Sequence, residues 1–104
     1  MDTTTGITAS SPGFFGPSSR RIDGLANTVP DIKGTLATLT AGGHRVVNME
    51  MESSLLFHLA GALGHRAATI CAVIGQPGRP DAVADYAASV ESAIDVAVAA
   101  MLAP

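Results

Sequence analysis

Residues 44–63 read HRVVNMEMESSLLFHLAGAL, and the change of period inside this stretch decides the fold class. Residues 45–49 carry Val46 and Val47 and predict a strand. From Met51 onward apolar residues recur four apart, at Met51, Leu55, Leu59 and Leu63, with Leu56 beside them, which predicts a helix over residues 51–63. Gly64 stands where a helix C-cap glycine belongs, and Gly42-Gly43 breaks the chain before the strand.

Working outward, the same strand-then-helix order returns. Residues 67–75, AATICAVIG, form a continuous apolar run between His65-Arg66 and GQPGRP. Its length and its Ile, Val and Cys content predict a strand buried on both faces, as in an α/β sheet. Residues 81–100 predict a helix: Val83, Ala87, Val90, Ile94, Ala97 and Met101 make an apolar stripe, while Asp81, Asp85, Glu91 and Asp95 fall largely outside it. Pro80 and the two leading aspartates suit the start of that helix. Toward the N-terminus, residues 6–9 predict a short strand ending in a Ser/Pro/Gly turn. Residues 11–24, SPGFFGPSSRRIDG, predict a loop. Residues 27–42 are ambiguous, with a helix over residues 31–39 after Pro30 opposed by Thr35, Thr38 and Thr40. Strands and helices joined by short connections argue an α/β class.

The bulk numbers narrow the function. A chain of 104 residues holds one small domain. Hydrophobic residues make up 47% of it, yet many are alanine, and three Phe, one Tyr and no Trp are the only large aromatic pieces, so its core is thin. The net charge is -3 and the basic residues form no run beyond Arg20-Arg21, which argues against nucleic acid as a partner. The first dozen residues lack the basic-then-apolar order of a secretory signal, and no apolar stretch reaches the length of a membrane span; a cytoplasmic protein without membrane contact is the expectation. The single Cys71 excludes an internal disulfide. It reads either as a thiol with chemistry or as a small buried hydrophobe in the 67–75 strand. His44, His58 and His65 lack metal-ligand spacing, so no metal is expected. GQPG, at residues 75–78, lacks the P-loop lysine and the dinucleotide pattern.

Two groups of residues can carry chemistry. Asn48-Met49-Glu50-Met51-Glu52 sits at the strand-to-helix junction, where open α/β sheets collect ligands. Glu50 and Glu52 point together only on an extended backbone, and a turn into the helix separates them. They read either as acceptors for a diol such as ribose or as first-turn acids favoured by the helix dipole. Phe14, Phe15, Arg20 and Arg21 form the second group. An aromatic and arginine loop can stack on a planar ring or hold an anion; equally, the phenylalanines can plug the core with the arginines in solvent.

Gly6-Ile7-Thr8-Ala9-Ser10-Ser11, then Phe14-Phe15 and Arg20, then Asn48-Met49-Glu50-Met51-Glu52-Ser53, then His65-Arg66-Ala67 leading into Ala72-Val73-Ile74, resemble the nucleoside phosphorylase family, closest to its uridine phosphorylase branch. The order and spacing of the blocks carry the resemblance, which spans nearly all of residues 1–104 and corresponds to the C-terminal portion of the family's domain. It implies a partial three-layer fold, the C-terminal strands and helices of a central mixed sheet. It implies a pentosyltransferase activity, the phosphate-dependent cleavage of a nucleoside's N-glycosidic bond to give free base and ribose 1-phosphate. Inorganic phosphate is then a co-substrate, and no cofactor is implied.

The resemblance also assigns residues. Glu50, Met51 and Glu52 inherit contact with the ribose, Glu52 as acceptor for its 2′- and 3′-hydroxyls. Phe14 packs on the base, Arg20 reads the polar edge of a pyrimidine, and Ile74 and Gly75 line the base side of the pocket. Glu52 and Arg20 are the implied catalytic residues. Two positions depart from the uridine branch. Ser18 stands where that branch has Gln, and a hydroxyl cannot make the amide's paired contact. Gly75-Gln76 stands where it has Asn-Arg.

In the family, the glycine-rich phosphate loop and most phosphate-holding arginines lie in an N-terminal segment that these residues do not match. Three readings of function therefore stand: a nucleoside phosphorylase, an inactive nucleoside-binding remnant, or a fragment complementing a separate N-terminal half. The expected partners are a nucleoside and phosphate, with self-association or that complementing half.

Overall fold

The computed structural model describes residues 3–13, 15, 21–27, 29–75 and 86–104. They fall into two units, Asp2–Ala68 and Thr69–Pro104.

The first unit is built on a three-stranded sheet: β1 (Ile7–Ser10), β2 (Thr40–Ala41) and β3 (His44–Glu50), in the order β1-β3-β2. β1 runs parallel to β3, with Thr8 opposite Asn48, Ala9 opposite Met49 and Ser10 opposite Glu50; an irregularity between Ile7 and Thr8 leaves Val47 without a counterpart. β2 runs antiparallel to β3. The two are joined through Gly42 and Gly43, at φ 57° and 79°. Positive φ at both loop residues is the two-residue hairpin geometry that matches strand twist, which is why glycine occupies both. The sequence shows this pair only as a break; the structure turns it into a hairpin and adds β2.

Two helices flank this sheet. α1 (Ile32–Thr38) resolves the ambiguous stretch. Asp31 caps it, its Oδ1 accepting from the Gly34 N–H at 3.0 Å, and the Thr35 and Thr38 hydroxyls, expected to oppose the helix, donate to carbonyls of the preceding turn. α1 packs on β3. α2 (Ser53–Ala62) starts two residues later than the apolar period suggests, because Met51 and Glu52 form a bend, and it contacts β1. Its end is a Schellman motif: the His65 N–H donates to the Ala60 carbonyl at 2.8 Å and the Gly64 N–H to that of Gly61 at 3.1 Å, with Gly64 at φ 74°. A Cβ at position 64 is disfavoured by this left-handed backbone, so Gly64→Ala is expected to cost about 1 kcal/mol, read as a lowered urea midpoint at unchanged slope.

In the second unit α3 (Ala87–Leu102) confirms the helix read from the apolar stripe, and residues 81–85 of that reading lie outside the described residues. Its facing differs from expectation. Val90, Ile94 and Met101 of the stripe are exposed, and the half-buried positions are the small ones, Ser89, Ser92, Ala93 and Ala97.

Residues 67–75 correct the sequence reading. They form no strand, and Ile70, Val73 and Ile74 are exposed. A strand exists only when neighbours take up its N–H and C=O groups, and the described residues provide none for this run. Cys71, read as a buried hydrophobe in that strand, is exposed, with its Sγ 3.6 Å from the Thr69 hydroxyl.

Among the described residues no apolar side chain is buried; the only buried residue is Ser53, 3% exposed. None of the described helices is long and apolar enough to cross a membrane. The first unit is an α/β arrangement around a small mixed sheet, in accord with part of the expected fold; three complete layers are not found among the described residues.

Candidate functional site

Because β1 and β3 are parallel, their C-terminal ends lie side by side, the edge where α/β folds gather ligands. Ser10 and Glu50 are partners there, and the Ser11 N–H donates to the Glu50 carbonyl at 3.0 Å, extending the pairing by one step. One pair earlier, the Thr8 hydroxyl donates to Asn48 Oδ1 at 2.8 Å. Along β3, Val46, Asn48 and Glu50 are half-buried while Arg45, Val47 and Met49 are more exposed, the two-residue alternation of a strand.

The backbone bends immediately after Glu50, so the two glutamates part. Glu50 Oε2 accepts from the Glu52 N–H at 2.8 Å and the Ser53 N–H at 2.7 Å, and Oε1 accepts from the Ser53 hydroxyl at 2.5 Å. The Ser10 hydroxyl accepts from the Ser54 N–H at 3.0 Å. The Glu50 carboxylate thereby ties the end of β3 to the start of α2, and the Ser10 side chain ties the end of β1 to the same turn.

Partial desolvation acts to raise the Glu50 pKa, but the hydrogen bonds from Ser53, Ser10 and the backbone N–H groups of Glu52 and Ser53 outweigh it and lower the value from 4.5 to about 2. Glu52 differs. It is the N-cap of α2, makes no side-chain capping bond and is exposed. Among the described residues its carboxylate takes one hydrogen bond, from the Met51 N–H at 3.2 Å. Met51 beside it is 38% exposed. The alternatives left open by the sequence are thus divided between the two acids. Glu50 satisfies the helix start, and Glu52 keeps acceptor capacity facing outward.

Beside this edge lies an open apolar hollow of about 260 Å³, walled by Ala9, Ser10, Ser11 and Met49 from the sheet and by Val29, Ile32 and Leu36. Sequence reasoning named none of the α1 residues here, since their membership depends on how α1 packs. It also passed over Ser10 and Ser53 as functional partners, although Ser53 stands three residues after Glu50, a spacing that reaches back across a helix start.

Of the other expected site residues, Ile74 and Gly75 belong to the second unit, where both are exposed. Phe14 and Arg20 lie outside the described residues, as do Ser18 and Gln76.

The resemblance anticipates the 6–9 strand and the Glu-Met-Glu block leading into a helix; that the strand ending on Ser10 pairs in parallel with β3 is what the structure adds. The family model described as the phosphorylase superfamily matches residues 1–103. The chain belongs to the phosphorylase superfamily. The match is to the superfamily as a whole and does not single out its uridine branch. No curated protein and no solved structure matches the chain. Membership gives the strand-to-helix junction a context in nucleoside metabolism, within which the chemistry of Glu52 is the point to decide.

Proposed function

We propose that this superfamily member acts in nucleoside phosphorolysis, the phosphate-dependent cleavage of the N-glycosidic bond of a pyrimidine nucleoside to free base and ribose 1-phosphate. The observation that carries the reading is the exposed carboxylate of Glu52, set at the C-terminal edge of the parallel strands with acceptor capacity left over. A carboxylate offers acceptors only, which matches the two donors of a vicinal diol.

Cleavage builds positive charge on the sugar as the base departs. A carboxylate fixing the 2′- and 3′-hydroxyls orients C1′ toward the incoming phosphate, and the rate rises by as much as those contacts tighten in the transition state. Met51 packs against the sugar. The resemblance supplies the remaining roles: Phe14 to stack on the base, Ile74 and Gly75 to line its side, and Arg20 to stabilise charge at the polar edge of the leaving base.

The absence of buried apolar side chains among the described residues favours one addition: the working site is completed against another polypeptide surface, a second copy of the chain or a complementing N-terminal half.

The test is phosphate-dependent base release from uridine and from a purine nucleoside by the purified chain. Release of uracil that requires phosphate is the expected result. A folded sample that binds nucleoside and releases no base, alone or with a complementing half, would replace phosphorolysis by simple nucleoside binding.

A further inference from the structure

The Glu-Met-Glu bend contains two carboxylates, and the geometry gives them different work. A carboxylate has about four lone-pair positions. Three of those of Glu50 meet donors: the Glu52 N–H, the Ser53 N–H and the Ser53 hydroxyl. These donors come from the bend itself and the first turn of α2, and Ser10, the strand partner of Glu50 at the end of β1, adds to the stabilisation of its charge. Ser53 is the single buried residue among those described, and the Ser10 hydroxyl accepts from the Ser54 N–H. A sugar hydroxyl that displaced one of the three donors would leave a helix-start N–H or a buried hydroxyl without its partner.

We infer that Glu50 is a positioning residue which, with Ser10 and Ser53, locks the Met51–Glu52 bend and leaves Glu52 as the only carboxylate of the pair to meet the vicinal diol of a furanoside. This rests on the reading of the site as a ribose site, and it deepens that reading by removing one of its assumed contacts and adding two serines. Ser10 adds the tie from the neighbouring strand, its hydroxyl accepting from the Ser54 N–H at the helix start. The lock sets the direction of Glu52 through the backbone of the residue it grips: the Glu52 N–H is one of the three donors, so the φ of the sugar-binding residue is held by the carboxylate two positions earlier.

The experiment is heteronuclear NMR on the full 104-residue chain, labelled with ¹³C and ¹⁵N and assigned through bonds. In the free chain, the amide protons of Glu52 and Ser53 should move together with a midpoint near 2, following the carboxylate that they bind. On addition of uridine, and separately of ribose 1-phosphate, the side-chain carboxyl carbon of Glu52 should shift while that of Glu50 stays in place. A Glu50 carboxyl that moves with uridine as far as that of Glu52, or amides that titrate near 4.5, overturns the assignment. Amides that titrate near 2 with neither carboxyl responding to uridine or ribose 1-phosphate would refute the sugar contact of Glu52 itself and leave only a helix-start clamp, so the two failures are told apart. Turnover supplies an independent reading. Ser10→Ala should reduce kcat/KM by about tenfold, the scale of one lost hydrogen bond at the helix start, and Ser10→Thr, which keeps the hydroxyl, should recover most of it. Equal loss in both variants would assign Ser10 to packing and remove it from the lock.

Discussion

Glu52→Ala is expected to lower kcat/KM for phosphate-dependent base release by on the order of 10²–10³, a loss of about 3–4 kcal/mol of transition-state stabilisation. The size follows from what the group does. Two hydroxyl contacts to one carboxylate fix the rotation of the sugar about the axis that phosphate must approach, and a misplacement of about 1 Å at that centre costs on the order of 10²-fold. The exposed N-cap position makes the experiment clean, because Glu52 forms no capping bond with its side chain and its removal leaves the start of α2 in the hands of Glu50. Glu52→Gln should fall between the two, since an amide oxygen still accepts but carries no charge. Steady-state assays with uridine decide it. Turnover unchanged in Glu52→Ala would place the sugar elsewhere, and a loss confined to KM would mean that the contact holds ground state and transition state alike.

The contrast between the two glutamates shows where sequence reading reached and where it stopped. The strand, the helix and the helix end within residues 44–64 were legible because each has its own signal: a β-branched pair in Val46-Val47, leucines four apart, and a glycine at position 64 where the chain must turn left-handed. The division of roles between Glu50 and Glu52 was not legible. Sequence places two like residues two apart, and only the bend between them decides which carboxylate faces the helix N–H groups. The helix start that follows the bend is also held by Ser10, more than forty residues away along the chain and adjacent only because β1 pairs with β3.

Residues 67–75 show the opposite failure, a strong local signal without structure to match. Continuous apolarity states that a segment favours burial between layers, yet a strand is a property of a pair, and the described residues bring no partner to this one. α3 fails in a subtler way. Its period is helical and the helix is there, but the period cannot say which side is covered, and Ile94 and Met101 face outward while Ala93 and Ala97 turn in. Both cases follow from the absence of buried apolar side chains among the described residues: hydrophobic pattern predicts orientation only when there is a core for it to point at.

The largest stability effect is expected from Glu50, and pH provides its signature. A carboxyl whose pKa falls from 4.5 to about 2 on folding stabilises the folded chain fully above 4.5 and loses that contribution as pH drops through about 2. The unfolded chain takes up the proton first, and in that interval each step down in pH favours unfolding. Glu50 is half-buried, so solvent screening reduces the effect, and the hydrogen bonds set its scale at about 1–2 kcal/mol. Glu50→Gln keeps the volume but presents an NH₂ group where donors converge. It should therefore unfold at a lower urea concentration than the parent near neutral pH, by that amount. The difference should shrink toward zero as the pH approaches about 2, where the parent's own carboxyl becomes protonated. Urea midpoints for the two proteins at about pH 6 and about pH 2.5 measure it, and the remaining acids cancel because both chains carry them. A gap of the same size at both pH values would show that position 50 matters for shape alone, and that the charge of Glu50 does not hold the junction between β3 and α2.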